Sequence, residues 1–281
     1  MSDTAMDETL QGVRVVTLAQ NVPGPVAAAR LHALGAHVLK VEPPGGDPLA
    51  GYSPSWYAQL HRGCEVVQLD LKRPGDRAAL EGRLGDADVL LASNRPSALQ
   101  RLGLGWEAVH ARHPRLLAVA IVGYPPPHED LPGHDLTYVA KLGLVDPPHM
   151  PLSLFADLAG AERAVAATLA LLYARERTGR ADRATVSLAE AAEGFAAPLR
   201  HGLTAPEGLL GGSLAGYRVY RARHGWIALA ALEPHFWSRF CAESGTGKPG
   251  EAALTELFLQ RDAADWEAWA SERDLPLVAV A

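Results

Sequence analysis

From Val13 to Tyr124 the chain repeats one pattern: a short β-branched run, a Gly/Pro turn, an Ala/Leu-rich run, then another β-branched run. VRVVTLA (13–19) reads as a strand and NVPGP (21–25) as a turn. VAAARLHALGA (26–36) reads as a helix closed by Gly35, and HVLKVE (37–42) as the next strand, followed by a PPGGDP loop (43–48). Strands joined by helical crossovers lie parallel in one sheet. The alternation continues through strand EVVQLDL (65–71), helix RPGDRAALEGRLGDA (73–87) and strand DVLLAS (88–93). NRPSALQRLGLG (94–105) turns into a short helix, WEAVHARHP (106–114) is helical, and RLLAVAIVGY (115–124) is a strand. The pattern predicts an α/β fold with a doubly wound, mostly parallel sheet. In such a sheet a ligand is expected beyond the carboxyl ends of the strands.

The second half reads differently. A long apolar-periodic stretch follows Asp157 and runs to about Glu176, then a turn (178–182) and strand RATVSLA (183–189). HGLTAPEGLLGGSLAG (201–216) is polar and Gly-rich and reads as a linker. YRVYRARHGWIALAAL (217–232) predicts a β-hairpin turning at His224-Gly225. Helices are expected around EPHFWSRFCAES, AALTELFLQ and DAADWEAWASERD (262–274). LPLVAVA is apolar and would be an odd free tail. The expected organisation is a large domain over 1–200, a linker over 201–216 and a smaller α+β domain over 217–281.

Composition excludes several classes. A formal charge of −6 gives no footprint for nucleic acid or an anionic membrane. No apolar run reaches the roughly 20 residues that a membrane span needs. The start, MSDTAMDETLQ, is polar and acidic, unlike a secretory signal. Cys64 and Cys241 are far apart and lack metal spacing, which predicts reduced thiols and a cytoplasmic location. There is no GxGxxG, no GxxxxGK[ST], no HExxH and no GxSxG, so a nucleotide loop, a metal site and a hydrolase elbow are not expected.

The chemistry-bearing segments are PGHDLTY (132–138) and FADLAG (155–160). They supply an imidazole, His134, and two carboxylates, Asp135 and Asp157, the equipment for moving a proton on and off a carbon acid. Asp157 stands where the long helix begins, so backbone amides there are candidates for holding an oxyanion. Each residue also has an ordinary reading. Asp157 can serve as a helix N-cap, and a histidine in a Gly/Pro-rich loop is commonly a surface residue. Spacing alone does not bring His134 and Asp157 together.

In order along the chain, LAQNVPGPVAAARLHALGAHVLKVEPPGGDP, HRGCEVVQLDLKRPGD, ADVLLASNRPSALQRLGLGWEAVHARHPRL and FADLAG resemble the family III CoA transferases. That superfamily includes carnitine–CoA transferase, formyl-CoA transferase and α-methylacyl-CoA racemase. The likeness runs from about Val13 onward, and PGHDLTY with AALEPHF (230–236) resembles the racemase branch most. The resemblance implies His134 and Asp157 as acid/base groups on opposite faces of a thioester α-carbon, with Glu233 orienting His134 and Asp135 supporting the site. It implies a CoA site formed by Lys40, Leu60, His61, Arg62, Gly63 and Arg95, together with Gly133 and Tyr138. The substrate implied is an acyl-CoA thioester, with no cofactor beyond the coenzyme A it carries and no metal.

Two other roles stay open: CoA transfer through a mixed anhydride at Asp157, and a shortened, non-catalytic CoA-binding subunit. The sequence departs from relatives at Pro43, where an arginine is common, and at YPPPHED (124–130), where a GQTGP-like run is usual. Relatives are usually longer, and their C-terminal portion returns to the large domain and interlocks two subunits. LPLVAVA lies about where that return begins. A homodimer is therefore expected, looser than in relatives, with a second polypeptide as one way to complete it.

Overall fold

A computed structural model describes residues 8–280, so most of the acidic start and Ala281 lie outside the described residues. The chain divides into two compact units, the first ending at Ala196 and the second beginning at Ala197.

The first unit contains β1 (Arg14–Thr17), α1 (Pro23–Ala33), β2 (His37–Glu42), α2 (Pro48–Tyr52), α3 (Pro54–Leu60), β3 (Glu65–Gln68) and α4 (Pro74–Gly85). It continues with β4 (Val89–Ala92), α5 (Pro96–Arg101), α6 (Trp106–Arg112), β5 (Leu117–Val122), α7 (Asp135–Lys141), α8 (Phe155–Thr178), β6 (Arg183–Ser187) and α9 (Leu188–Arg200), within which the boundary falls. The six strands form one sheet in the order β3-β2-β1-β4-β5-β6, every pair parallel. The strand order reverses between β1 and β4. Their carboxyl ends therefore diverge into a crevice, where ligands bind in sheets of this kind.

Leu117, Val119 and Ile121 of β5 point into the core shared with α1 and α8. Leu90 and Ala92 of β4 point into a second core with Leu80, Leu84, Leu99 and Val109 from α4, α5 and α6. The central strands β1, β2, β4 and β5 are largely buried on both faces, as a parallel sheet with helices on each side requires, while the edge strand β3 is mostly exposed.

Two expectations need correction. NVPGP is not a free turn. Helix α1 starts at Pro23, with proline in the first turn, where its missing N–H costs nothing. Gly24 is required because a Cβ there would lie 2.2 Å from Cβ of Ala19. Gly35 does follow the helix in the left-handed region, at φ +97°. The second correction is PPGGDP, whose last residues open α2: Asp47 caps it, accepting from the Leu49 amide at 2.9 Å.

The second unit holds β7 (Tyr217–Arg221), β8 (Trp226–Ala230), α10 (Pro234–Ser244), α11 (Glu251–Phe258), α12 (Ala263–Ser271) and β9 (Leu277–Ala279). The hairpin closes with Gly225 at φ +86° and the Ala222 amide on the Gly225 carbonyl. The apolar LPLVAVA segment is no free tail. It supplies β9, which pairs antiparallel with β8 through Leu229–Leu277 and Ile227–Ala279. The Gly-rich passage 201–216 contains a π-helical turn at Leu209–Ser213, and its Leu210 amide donates to the Leu203 carbonyl at 2.8 Å. No described helix is long and apolar enough to cross a membrane.

Candidate active site

At the carboxyl ends of β1, β4 and β5 lies a cavity of about 260 Å³. Its wall takes Gln20 and Asn21 from the turn after β1, Ser93, Asn94 and Arg95 from the turn after β4, and Gly123 from the end of β5. His134, Tyr138 and Asp157 complete it, so the crossover from β5 to β6 brings the imidazole and the carboxylate onto one cavity.

His134 is the N-cap residue of α7. The Thr137 hydroxyl accepts from its backbone amide at 3.1 Å and donates to its carbonyl at 2.7 Å. These bonds fix the backbone and leave the ring exposed. Asp135 is only 5% exposed. Its Oδ1 accepts from the backbone amides of Ala156 (2.7 Å) and Asp157 (3.0 Å). One buried carboxylate of α7 therefore caps α8 and ties the two acid–base candidates into one frame.

Two readings of Asp157 change. It is the third residue of α8 and not its cap; Leu154 holds the N-cap position. Nor are most of the first-turn amides of α8 open to an oxyanion. Those of Ala156 and Asp157 serve Asp135, and that of Leu158 serves the Leu154 carbonyl at 3.0 Å. The Asp157 carboxylate accepts no hydrogen bond among the described residues. Burial first, and the Asp135 charge second, push it up to about 7.

Tyr138 is pinned. A Cβ at Gly133 would lie 2.6 Å from its ring, and one at Gly123 would lie 2.4 Å from its hydroxyl oxygen. Its ring meets Tyr124 edge-on at 5.2 Å. Burial, with the Tyr124 and carboxylate charges adding, raises the phenol to about 12. It meets the cavity as a neutral hydroxyl.

The CoA candidates separate. Arg95 lines the cavity, and Arg62 and Gly63 sit exposed in the turn after α3. Gly63 has φ +83°, and a Cβ there would lie 2.4 Å from His32, so the turn admits only glycine. Leu60 packs against the main core, and His61 is buried with Nδ1 on the Tyr57 carbonyl at 2.7 Å. Burial holds its imidazole below the usual range. Lys40 needs a correction: it has no exposed surface, and its ammonium is already neutralised by Asp47. It cannot reach a phosphate in solvent.

A residue absent from the sequence reading, Lys72, lines an adjoining cavity of about 420 Å³ that shares Gln20 and Asn94 with the first. Its signal was its place just after β3, one of the strand ends where an anion would lie. Glu233 belongs to the second unit, at the N-cap position of α10.

Comparison with known proteins fits this geometry. The sequence profile of CoA-transferase family III matches residues 10–281. Human α-methylacyl-CoA racemase is 32% identical over 246 residues, covering 81% of this chain and 63% of the racemase. Acetyl-CoA:oxalate CoA-transferase of Acetobacter aceti is 31% identical, covering 68% of this chain and 53% of that protein. A crystal structure of a hypothetical protein from Mycobacterium tuberculosis superposes with TM-score 0.86 at 26% identity, covering 98% of this chain and 84% of that one. The chain thus spans roughly half to two thirds of the length of these curated relatives. It belongs to CoA-transferase family III.

Proposed function

We propose that the protein acts on acyl-CoA thioesters by moving a proton on and off the α-carbon, in the manner of an α-methylacyl-CoA racemase. The observation that carries the reading is the shared cavity. His134 and Asp157 both line it, and Asp157 is held near 7, where one carboxyl can give and take a proton. One group removes the α-proton, and the electron pair moves onto the thioester oxygen. The other group returns a proton to the opposite face. Arg95 and Lys72, which line the two adjoining cavities, would meet the CoA phosphates.

A second reading has one specific support: the Asp157 carboxylate makes no hydrogen bond, so it is open to attack a thioester carbonyl. The acyl–sulfur bond would break, CoA would leave as thiolate, and an aspartyl mixed anhydride would remain for an acceptor carboxylate. One experiment separates the two. The chain is incubated with a 2-methylacyl-CoA in deuterated water, with and without an acceptor acid, and treated with hydroxylamine. Deuterium at the α-carbon without modification of Asp157 is the expected result. Hydroxamate formation at Asp157 without α-exchange would replace it with transfer. Neither outcome, with CoA still bound, would favour a non-catalytic subunit. A homodimer belongs to the same proposal, and light scattering at micromolar concentration would refute it by finding an active monomer.

A further inference from the structure

The buried Lys40 has no part in the chemistry above, yet burying a charge is costly unless its hydrogen bonds hold something in place. It lies near the end of β2 with no exposed surface. Its ammonium meets the Asp47 carboxylate, lies 3.7 Å from Glu42 Oε1, and donates to the Ala19 carbonyl at 3.3 Å. Asp47 Oδ1 accepts from the Asn21 amide at 3.0 Å. Ser93 Oγ accepts from the Gln20 amide at 2.9 Å. Three successive residues after β1 are thus each gripped by a group from elsewhere in the first unit. Asn21 itself stands in the left-handed region, at φ +64°, a conformation that needs such support. Gln20 and Asn21 are also wall residues of the cavity that holds His134 and Asp157.

We propose that Lys40 is a positioning residue, which together with Asp47 fixes the turn after β1 as a wall of the active site. An apolar side chain in its place would serve the core at least as well. What it would not do is hold the Ala19 carbonyl and, through Asp47, the Asn21 amide. The kinetic consequence rests on the acyl-CoA reading, but the structural one does not.

The test uses Lys40→Met combined with Asp47→Asn. This pair removes both charges of the Lys40–Asp47 contact together, Glu42 keeps the Tyr57 hydroxyl at 2.7 Å, and the amide oxygen at 47 still accepts from Asn21. The acceptors of the Gln20 and Asn21 amides are then both retained. Hydrogen exchange at those two amides should nevertheless quicken by about tenfold or more, while exchange in β4 and β5 stays as in the parent. KM for the acyl-CoA should rise about tenfold, with kcat changed less than about threefold, a loss of binding rather than of chemistry. If the pair does not fold, Asp47→Asn alone carries the same measurement, with a smaller change in the same two amides.

Unchanged exchange at Gln20 and Asn21, or a rise spread evenly over the sheet, would overturn the proposal. So would a parent-like KM in a variant of an active protein. A parent protein that neither binds CoA nor exchanges the α-proton would overturn the acyl-CoA reading alone, and the amide exchange would still decide the role of Lys40.

Discussion

Asp157 is a carboxylate whose environment raises it well above the ordinary range, and that shift has two measurable consequences. Its folded pKa of about 7 lies above the ordinary 3.8, so folding favours the protonated form. That contribution is fully present below about pH 4 and is lost as pH rises through 7, at a cost on the order of 4 kcal/mol. Asp157→Asn should therefore melt higher than the parent at pH 8 and equal to it near pH 4; the same midpoint difference at both pH values would defeat the assignment. Catalytically the substitution should abolish proton exchange. His134→Ala should lower the exchange rate by roughly 10²–10⁴-fold with no loss of melting temperature, because the ring is exposed and only the backbone at 134 is engaged. Parent-like exchange in that variant would remove the histidine from the mechanism. At this scale the sequence drew attention to His134 and Asp157 by residue type, and the structure brings both onto one cavity. The sequence was misleading at Lys40, because a strand-end lysine reads as a cation for a ligand until Asp47 and Glu42 are found closing over it.

Between elements, the decisive contact is a cap that crosses from one helix to another. Asp135 satisfies two amides of α8, whereas the α8 N-cap residue, Leu154, cannot. Asp135→Ala would leave two amides without an acceptor, one of them on the fully buried Ala156. Denaturant unfolding should show a loss of about 1–3 kcal/mol. The Asp157 carboxyl should also titrate lower in the variant, since one of its two causes is gone; an unmoved titration would mean burial alone sets it. The strands and long helices were readable from their period. The short helices α2, α3 and α7 were not, although α5 and α6 of similar length were; five to seven residues hold fewer than two turns and give little 3.6-residue repeat to read. The partnership of Asp135 with α8 was equally hidden. It joins residues 21 and 22 apart, and nothing local marks it.

For the molecule as a whole, the doubly wound parallel sheet was legible because each crossover repeats one pattern, whereas the order of its six strands came only from the structure. The three-stranded sheet was legible only in part. A hairpin signals itself by its turn, whereas β9 joins β8 across the intervening helices α10, α11 and α12. Its Leu277 is 3% exposed and packs in a core with Ile227, Leu229 and Phe240. Leu277→Ala should cost about 2–5 kcal/mol in the unfolding of the second unit. The first unit's transition should be unmoved, and a shift in both would show the two units unfolding as one.

The crossover between β5 and β6 carries both His134 and Asp157, while the turns after β1 and β4 supply the remaining wall. Under the proposed function, bond-making and thioester recognition are then inherited on separate stretches of chain. Lineages could exchange one reaction for another by rewriting a single contiguous segment. A chimaera given that crossover from a transferase relative should keep its grip on CoA and change only what it does to the acyl group.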